Sequence, residues 1–360
     1  MSHKRLFIPG PTEVRPEILQ ELARPQIGHR TQEYRDIHAA IITKLQKFFN
    51  TSGLVLTFTN SSTGVMEAAV RNTCNKKCIN FINGAFSKRW HEITQGNGIP
   101  CDKYVVEAGK AIKPEMVDEV LSKGEYDAMT VVWNETSTGV ESPIPEIAEV
   151  MKKYPDVMFL VDAVSCMAGI KIEPEKFGID CVLAGVQKAF ALPAGFAVAY
   201  ISEKAMKKAE QVPYRGYYTD FIVLAKRQAS NSDTPNTPSI PHMFALDKQM
   251  DYILAEGDGR YARHEALAKI VQDYARAKWA MFSEEGYHSR TVSCITNTRG
   301  IVIGDLNKAL GKEYMMISNG YGDLKEKCFR IAHMGDTQMY EIEGLLSAIE
   351  RIIAKNWPGK

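Results

Sequence analysis

The chain has 360 residues, enough for two domains of average size, and its 45% hydrophobic and 24% charged residues are close to the averages of globular proteins. This composition excludes a disordered chain, a collagen-like fibre and a disulfide-rich mini-protein. The 44 basic and 43 acidic residues leave a formal net charge of +1, so we expect no general affinity for nucleic acid or for an anionic membrane.

In the first 240 residues, helical patterns alternate with short apolar runs. Apolar residues at helical spacing predict helical structure over residues 16–49. Continuously apolar runs predict strands buried on both faces, as in a mostly parallel sheet. These strands are expected at 55–58, 78–82, 129–133, 157–161 and 181–184. Residues 104–106 are also β-like, 197–201 is predicted as one more strand, and helices are expected at 63–72, 86–94 and 114–122. The alternation predicts a doubly wound α/β domain.

The remaining residues have an α+β pattern. A long helix is predicted over 260–284 and a closing helix over 337–354, with strands at 291–295, 300–303 and 328–331. We therefore expect an N-terminal arm at 1–13, a large α/β domain at 14–249 and a smaller C-terminal α+β domain at 250–360, which the arm joins.

The first residues and the cysteines indicate where the protein resides. MSHKRLFIPGPT has no apolar run typical of a signal peptide, and no stretch approaches the roughly 18 apolar residues of a membrane span. Seven cysteines form no regular framework, and Cys74 and Cys78 have no second Cys/His pair nearby. We expect reduced thiols, no metal site, no membrane partner and a cytoplasmic location.

Polar residues are concentrated where the predicted strands end, the place where doubly wound sheets bind ligands. A hydroxyl-rich segment at 60–64 suits a phosphate, although a plain Ser/Thr helix cap has the same pattern. A second polar segment lies at 134–139. Asp162 ends one strand, and Gln187 and Lys188 follow the next. Taken singly, these features also fit a polar loop, a helix cap and a surface lysine.

The combination of these features indicates a pyridoxal phosphate (PLP) site. A buried lysine with a lowered pKa is a good Schiff-base nucleophile. An acid at a strand end holds the proton of a pyridinium ring. Hydroxyl groups at a helix N-terminus complete the site by binding the phosphate.

Eight segments in chain order carry a resemblance to a known family. They are FIPGPTEVRPE near the start, GHRTQEY, SSTGVMEAA, NETSTGV, VDAVS, FGID followed by GVQKAFALPAG, TPNTPSI and FRIAHMG. With these segments the chain resembles the class V aminotransferases of PLP fold type I, in particular alanine–glyoxylate, serine–glyoxylate and serine–pyruvate aminotransferases. The resemblance implies a large domain with a mostly parallel sheet flanked by helices, and a smaller α+β domain.

The resemblance also implies roles around the cofactor ring. Lys188 would bind PLP covalently, and Asp162 would pair with the pyridine nitrogen. Val164 and Phe86 would lie against the two faces of the ring. Thr136 would hydrogen-bond the phenolic oxygen of the ring.

Further roles are implied for the phosphate and the substrate. Ser62, Thr63 and Gln187 would hold the phosphate. Thr237 would reach the phosphate of the neighbouring subunit, which implies a homodimer with shared active sites. Arg330 would bind the substrate carboxylate, because its planar guanidinium matches a carboxylate.

The chain departs from the family pattern at two places. Many relatives have Trp where Phe86 stands. Relatives also commonly carry His shortly before the Glu of the ETSTG stretch, where this chain has Trp133 and Asn134.

The implied activity is a ping-pong transfer of an amino group from a small amino acid, alanine or serine, to a 2-oxo acid such as glyoxylate or pyruvate. Phosphoserine aminotransferase is the main alternative, with His29, Arg30 and His333 as candidate cations for the substrate phosphate. A cysteine desulfurase needs a mobile thiol, but Cys294 and Cys328 lie in β-like runs. A non-catalytic binding protein of this fold is expected to lack the lysine, which this chain retains.

Overall fold

A computed structural model describes residues 3–360, in which two main sheets are surrounded by helices. In chain order the strands are β1 (Arg5–Phe7), β2 (Leu54–Phe58), β3 (Cys78–Ile82), β4 (Cys101–Val105), β5 (Ala128–Val132), β6 (Asn134–Glu135), β7 (Val140–Glu141), β8 (Met158–Asp162), β9 (Cys181–Gly185), β10 (Ala197–Ile201), β11 (Ala280–Met281), β12 (Val292–Thr296), β13 (Met315–Asn319) and β14 (Cys328–Ala332). The helices are α1 (Pro16–Leu22), α2 (Gln32–Phe49), α3 (Ser62–Thr73), α4 (Ala85–Gly96), α5 (Pro114–Leu121), α6 (Ile144–Met151), α7 (Glu203–Gln211), α8 (Phe221–Asn231), α9 (Ile240–Glu256), α10 (Asp258–Lys278), α11 (Ile303–Lys312) and α12 (Met339–Asn356).

The larger sheet has seven strands in the order β2-β10-β9-β8-β5-β3-β4. Neighbouring strands from β9 to β4 are parallel, whereas β10 is antiparallel to both β9 and β2. Every residue of β3, β5, β8, β9 and β10 is buried, which explains their continuously apolar sequences. The mostly parallel sheet predicted from these runs is confirmed.

Helices cover both faces of this sheet. On one face, α2, α5, α6 and α9 bury residues such as Leu45, Val117, Ile147 and Met250 against the strands. On the other face, α3, α4, α7 and α8 contribute a second apolar cluster that includes Trp90 and Phe221. The sheet is therefore a central layer, and its strand ends are the part left free to form a site.

The smaller sheet contains the first strand of the chain. Its order is β1-β13-β14-β12-β11, with β1 parallel to β13 and the other pairs antiparallel. Phe7 from β1 packs in one cluster with residues of α10, α11 and α12, including Leu267, Leu306 and Leu345. Strand β1 thereby anchors the N-terminal arm to the smaller sheet, and residues 9–12 of the arm continue from it.

The helical structure predicted over 16–49 is wrong in its middle part. It is two helices, because α1 ends at Leu22 and α2 begins at Gln32. Pro25 disfavours helical geometry in the residue before it and lacks the N–H that a continuing helix needs. Thr31 then caps α2 by accepting a hydrogen bond from the Tyr34 backbone.

Two predictions in the C-terminal part are also wrong. Residues 300–303 are not a strand: Ile303 begins α11, because the Glu326 carboxylate accepts hydrogen bonds from the N–H groups of Ile303 and Gly304. The strand that pairs with β14 on this side of the smaller sheet is β13 (Met315–Asn319). The helix predicted over 260–284 ends at Lys278, and β11 follows it because Ala280 and Met281 pair with β12.

The domain division expected at residue 250 falls inside α9. Met250 and Ile253 of this helix pack in the core of the larger sheet. We propose instead that the division lies at Gly257, whose positive φ of 54° separates α9 from α10. Among residues 3–360, no helix is both long enough and apolar enough to cross a membrane.

Candidate active site

The carboxyl ends of β2, β5, β8 and β9 meet at one edge of the larger sheet, where they surround a cavity of about 220 Å³. This is the edge at which doubly wound sheets bind ligands. Eight residues predicted from the sequence line the cavity: Ser62, Thr63, Phe86, Thr136, Asp162, Val164, Gln187 and Lys188. These residues are widely separated in sequence, and the sheet brings them together.

Lys188 lies on an irregular turn between β9 and β10, and its ammonium group donates a hydrogen bond to the Pro9 carbonyl oxygen. Burial lowers the pKa of this lysine from 10.5 to about 8. The charges of Arg330 and Arg89 contribute to this lowering, whereas the Asp162 carboxylate opposes it. A substantial fraction of Lys188 is therefore neutral near pH 8 and able to act as a nucleophile.

Asp162 is the last residue of β8, and its side chain is buried at the cavity wall. Its Oδ1 atom accepts a hydrogen bond of 2.8 Å from the backbone N–H of Val164. Within residues 3–360, no basic side chain lies within 4 Å of this carboxylate. Burial raises its pKa to about 7, and the nearby charge of Glu135 acts in the same direction. A positively charged ring nitrogen would therefore be a favourable partner.

The N-terminus of α3 provides an anion-binding end of the cavity. Ser62 and Thr63 are its first residues, and the Ser61 side chain at the cap makes no capping hydrogen bond. The N–H groups of the first turn and the positive end of the helix dipole thus face the cavity together with these hydroxyl groups. Gln187 lines the same cavity. This arrangement suits a phosphate.

Glu135 positions Phe86, a connection that the sequence analysis missed. The buried Glu135 carboxylate accepts hydrogen bonds from the backbone N–H groups of Phe86 at 3.1 Å and Ser87 at 2.9 Å. It thereby caps α4 and holds Phe86 at the cavity wall. Gly84 is required at the cap, because an added Cβ would lie 2.4 Å from Glu135 Cγ. The available signal was an acidic residue three positions after the end of the buried strand β5.

Arg330 projects from β14 and is almost fully buried. It donates hydrogen bonds to the carbonyl oxygens of Thr136 at 3.3 Å and Asn319 at 3.2 Å. No carboxylate of residues 3–360 lies within 4 Å of it. Since a buried guanidinium is costly without a counter-charge, this residue is a candidate site for an anionic ligand.

Arg89 lines the cavity, although no sequence pattern indicated it. Its guanidinium carbon lies 5.0 Å from the centre of the Phe86 ring, and it donates to the hydroxyl oxygen of Tyr321 at 3.4 Å. In the described residues it has no carboxylate within 4 Å. The guanidinium carbon of Arg330 lies 5.6 Å from the Tyr321 ring, so both cations contact this tyrosine. Arg89 had no distinguishing local pattern, because basic residues are common on helices.

The remaining predicted residues lie outside this cavity. Thr237 is exposed, next to a separate small pocket. Arg30 pairs with Asp233 at 3.3 Å and donates to the carbonyl oxygens of Thr234 and Pro235. His29 is half-buried and is not among the residues that line the cavity.

His333 is placed where it cannot serve as a cation. It is fully buried and shares a hydrogen bond of 3.0 Å with Ser293. Burial lowers its pKa to about 3, so the ring is neutral near pH 7. The expectation that His333 supplies positive charge for a substrate phosphate is therefore wrong.

Trp133 and Asn134 have opposite orientations. The Trp133 ring is in the core, in edge contact with Phe177 at 5.9 Å between ring centres. Asn134 lines the cavity and donates a hydrogen bond to Ser165 at 2.6 Å. Trp133 is therefore a packing residue, and Asn134 is the residue of this pair that faces the cavity.

The residues of the cavity fit the expected cofactor, PLP. The site combines a buried lysine of lowered pKa, a buried carboxylate with no basic partner and a helix N-terminus with two hydroxyl groups. The buried Oδ1 atom of Asn134, which lines the cavity, also lacks a hydrogen-bond partner among residues 3–360. Each of these groups is costly unless a polar ligand contacts it. No group of three or more His, Cys, Asp or Glu side chains among residues 3–360 is placed to hold a metal ion.

Comparison with known proteins gives consistent matches along the chain. The family model described as aminotransferase class-V matches residues 14–324. An uncharacterised aminotransferase of Methanocaldococcus jannaschii is 36% identical over 96% of this chain and 92% of its own. A serine–glyoxylate aminotransferase of Methylorubrum extorquens is 29% identical over 99% and 92%. The crystal structure of a phosphoserine aminotransferase from Cytophaga hutchinsonii superimposes with a TM-score of 0.91, at 27% identity over 98% of this chain and 100% of its own.

Proposed function

Because the chain belongs to the aminotransferase class-V family, we propose that it transfers the amino group of alanine or serine to a 2-oxo acid such as glyoxylate or pyruvate. It is a PLP-dependent aminotransferase, and such enzymes act on amino acids and 2-oxo acids. The choice of these particular substrates, and the division into two half-reactions of a ping-pong cycle, belong to the proposal.

Two residues carry out the proton chemistry in this proposal. When bound, PLP supplies an electron sink for the bonds at the substrate's α-carbon. Asp162 holds the proton of the ring nitrogen. The Nζ atom of Lys188 removes the proton from the α-carbon and later returns it as an acid. The lowered pKa of Lys188 suits this role, because a base works best when its pKa lies near the operating pH.

The single observation that supports an α-amino acid and a 2-oxo acid as substrates is the environment of Arg330. Both substrate types carry a carboxylate next to the reacting carbon. The Arg330 guanidinium is 7% exposed and within 4 Å of no carboxylate of residues 3–360, and its charge lowers the pKa of Lys188. A substrate carboxylate would supply the missing counter-charge close to the lysine.

Phosphoserine is the second candidate donor, and Arg89 is the observation that favours it. The cations expected for a substrate phosphate were His29, Arg30 and His333, but Arg30 is occupied by Asp233 and two carbonyl groups, and His333 is neutral. Arg89 lines the cavity without an acidic partner among the described residues. It is therefore the cation that a phosphorylated substrate would use.

A half-reaction screen tests the proposal. Single amino acids are added to the PLP-loaded enzyme, and the absorbance change from lysine-bound cofactor to pyridoxamine phosphate is recorded. We expect alanine and serine to convert the enzyme, and glyoxylate or pyruvate to reverse the change. Conversion by phosphoserine at a much higher kcat/KM, lost selectively in Arg89→Gln but not in Arg30→Ala, would contradict the proposal and establish the second candidate.

The assembly and location are also proposals. A homodimer with shared sites is supported by Thr237, which is exposed and lies outside the cavity of its own chain. The seven cysteines are all free thiols, which supports a cytoplasmic location. The net charge of +1 supports the absence of a nucleic-acid partner.

A further inference from the structure

Lys188 lies on a turn whose backbone is held by three distant parts of the chain. Thr12, from the N-terminal arm, donates from its N–H to the Gln187 carbonyl at 3.1 Å and from its hydroxyl to the Lys188 carbonyl at 2.8 Å. Arg260, from α10, donates to the Ala189 carbonyl at 2.7 Å. Gln249, from α9, donates to the Phe190 carbonyl at 2.8 Å. Four successive carbonyl groups around the lysine thus have fixed partners.

Arg260 differs from the other two because it also holds the segment that follows Asp162. Its Nε atom donates to the Ala168 carbonyl at 2.8 Å. Ala168 has a positive φ of 69°, an unfavourable conformation for a residue with a Cβ. The same segment contains Val164, whose N–H orients the Asp162 carboxylate. One guanidinium therefore bridges the lysine turn and the aspartate segment.

The orientation of the Arg260 guanidinium is itself fixed. The side chain is fully buried, and its Nη1 atom lies 2.9 Å from a Glu256 carboxylate oxygen and 3.0 Å from an Asp336 oxygen. The remaining nitrogens are those that donate to Ala168 and Ala189. Because the guanidinium is planar and rigid, the two carboxylates determine where the two carbonyl groups are held.

We infer that Arg260 is a positioning residue for transamination, which fixes the placement of Lys188 relative to Asp162. The inference rests on the proposed roles of these two residues. A base must lie within hydrogen-bond reach of the proton it removes, and a displacement of about 1 Å costs up to 100-fold in rate. Lys188 is on a turn and not on a helix or strand, so its placement depends on such external contacts.

The test compares Arg260→Gln with Arg263→Gln. Arg263 is on the same helix and pairs with the same Glu256, but it donates to the carbonyls of Gly335 and Thr337 and not to the lysine or aspartate segments. In Arg260→Gln, Glu256 keeps Arg263 at 2.7 Å and Asp336 keeps Arg15 at 2.6 Å. No buried carboxylate loses its last cation, so both variants are expected to fold.

We expect Arg260→Gln to lower kcat by roughly 10- to 100-fold with the KM of the amino donor unchanged within about twofold, because Arg330 is not displaced. The pH titration of the visible absorbance of the lysine-bound cofactor should shift upward by about half a unit or more, since water gains access to the lysine. Arg263→Gln should lower the melting temperature without either effect.

The inference would be overturned if both variants changed kcat and the pH midpoint of the absorbance titration equally. It would also be overturned if Arg260→Gln had the kcat and the midpoint of the wild type. If Arg260→Gln does not fold, Arg260→Lys is judged by the same two measurements, because it keeps the charge but lacks the planar fork. Wild-type transamination rates in Lys188→Ala and Asp162→Asn would instead overturn the proposed roles, so the two failures are distinguishable.

Discussion

Lys188 and Asp162 are both buried at the cavity, and burial moves their pKa values towards each other, to about 8 and about 7. Burial disfavours the charged form of each group, so it lowers the pKa of the lysine and raises that of the acid. Two neighbouring groups whose pKa values are both shifted close to 7 are typical of catalytic sites.

Replacement of the lysine tests the assignment directly. Lys188→Ala is expected to abolish transamination, because no other lysine of residues 3–360 lines the cavity, while PLP is still retained through the α3 N-terminus and Asp162. Borohydride reduction of the wild-type holoenzyme followed by peptide mapping should place the cofactor label on Lys188. A label on another lysine would refute the assignment.

Asp162→Asn is expected to slow a single turnover with an amino acid by roughly 100-fold or more, because the variant cannot hold the proton of the ring nitrogen. A rate within about threefold of wild type would contradict this role. Rapid-mixing absorbance measurements give the rate for both proteins.

The raised pKa of Asp162 also predicts a pH dependence of stability for the cofactor-free protein. Its pKa is about 7 when folded, against an ordinary value of 3.8, so the folded state binds more protons than the unfolded state between these values. The stabilising contribution is complete below about pH 4 and is lost as the pH rises to about 7. Relative to Asp162→Asn, wild type should therefore lose melting temperature between pH 5 and pH 7.5. Parallel curves for the two proteins would show that the acid is not protonated there.

At the level of elements, the N-terminal arm matters because it contacts the lysine directly. A Cβ added at Gly10 would lie 2.7 Å from Lys188 Cδ, and Gly10 has a φ of 117°. Gly10→Ala should lower kcat by about tenfold or more, because the lysine side chain must move. Gly98→Ala is the control, since Gly98 also has a positive φ but no atom within 4 Å of an added Cβ. An equal loss of activity in both variants would contradict the prediction that a side chain at position 10 displaces Lys188.

Helix α4 provides a second test at this scale. Glu135→Gln replaces with an amide NH₂ one of the oxygens that accept from the Phe86 and Ser87 N–H groups at the start of α4. The lost hydrogen bond is expected to lower the free energy of unfolding by roughly 1–3 kcal/mol. We expect tighter wild-type PLP binding than in the variant, by about tenfold in the dissociation constant. Glu115→Gln, at the first turn of α5, is the control for a helix N-terminal charge away from the site. Unchanged PLP affinity in Glu135→Gln would show that the cap does not position the ring contact.

For the whole molecule, the proposed dimer makes a prediction about a residue outside the cavity. Thr237 is in a segment whose carbonyl groups at Thr234 and Pro235 are held by Arg30, which gives Arg30 a structural explanation. Thr237→Ala should weaken PLP retention although the residue does not line the cavity of its own chain. Sedimentation measures the oligomeric state, and PLP titration at micromolar concentration measures cofactor retention. A monomer with full PLP content and activity would contradict the proposed shared site.

The sequence by itself determined the buried strands of the larger sheet and most of the residues that line the cavity, but of the edge strand β4 it indicated only the last two residues. The strands were evident because burial on both faces requires continuous apolar runs, and Asp162 and Lys188 were evident because they end or follow such runs. Those signals are local. They failed at residues 16–49, where the α1–α2 break is set by Pro25 and by the Thr31 cap, and at residues 300–303, where a carboxylate 23 residues away, Glu326, caps α11 at Ile303.

Only the tertiary structure decided which charges lie near Lys188 without an acidic partner and which are already paired. The sequence grouped Arg30 and His333 with Arg330, but folding gave Arg30 a carboxylate and buried His333 as a neutral ring. In the folded chain, Arg330 and Arg89 have no acidic partners among the described residues. Folding also placed Arg260 against the lysine and aspartate segments. Contacts between residues so distant in sequence depend on the packing of whole elements, for which no local pattern exists.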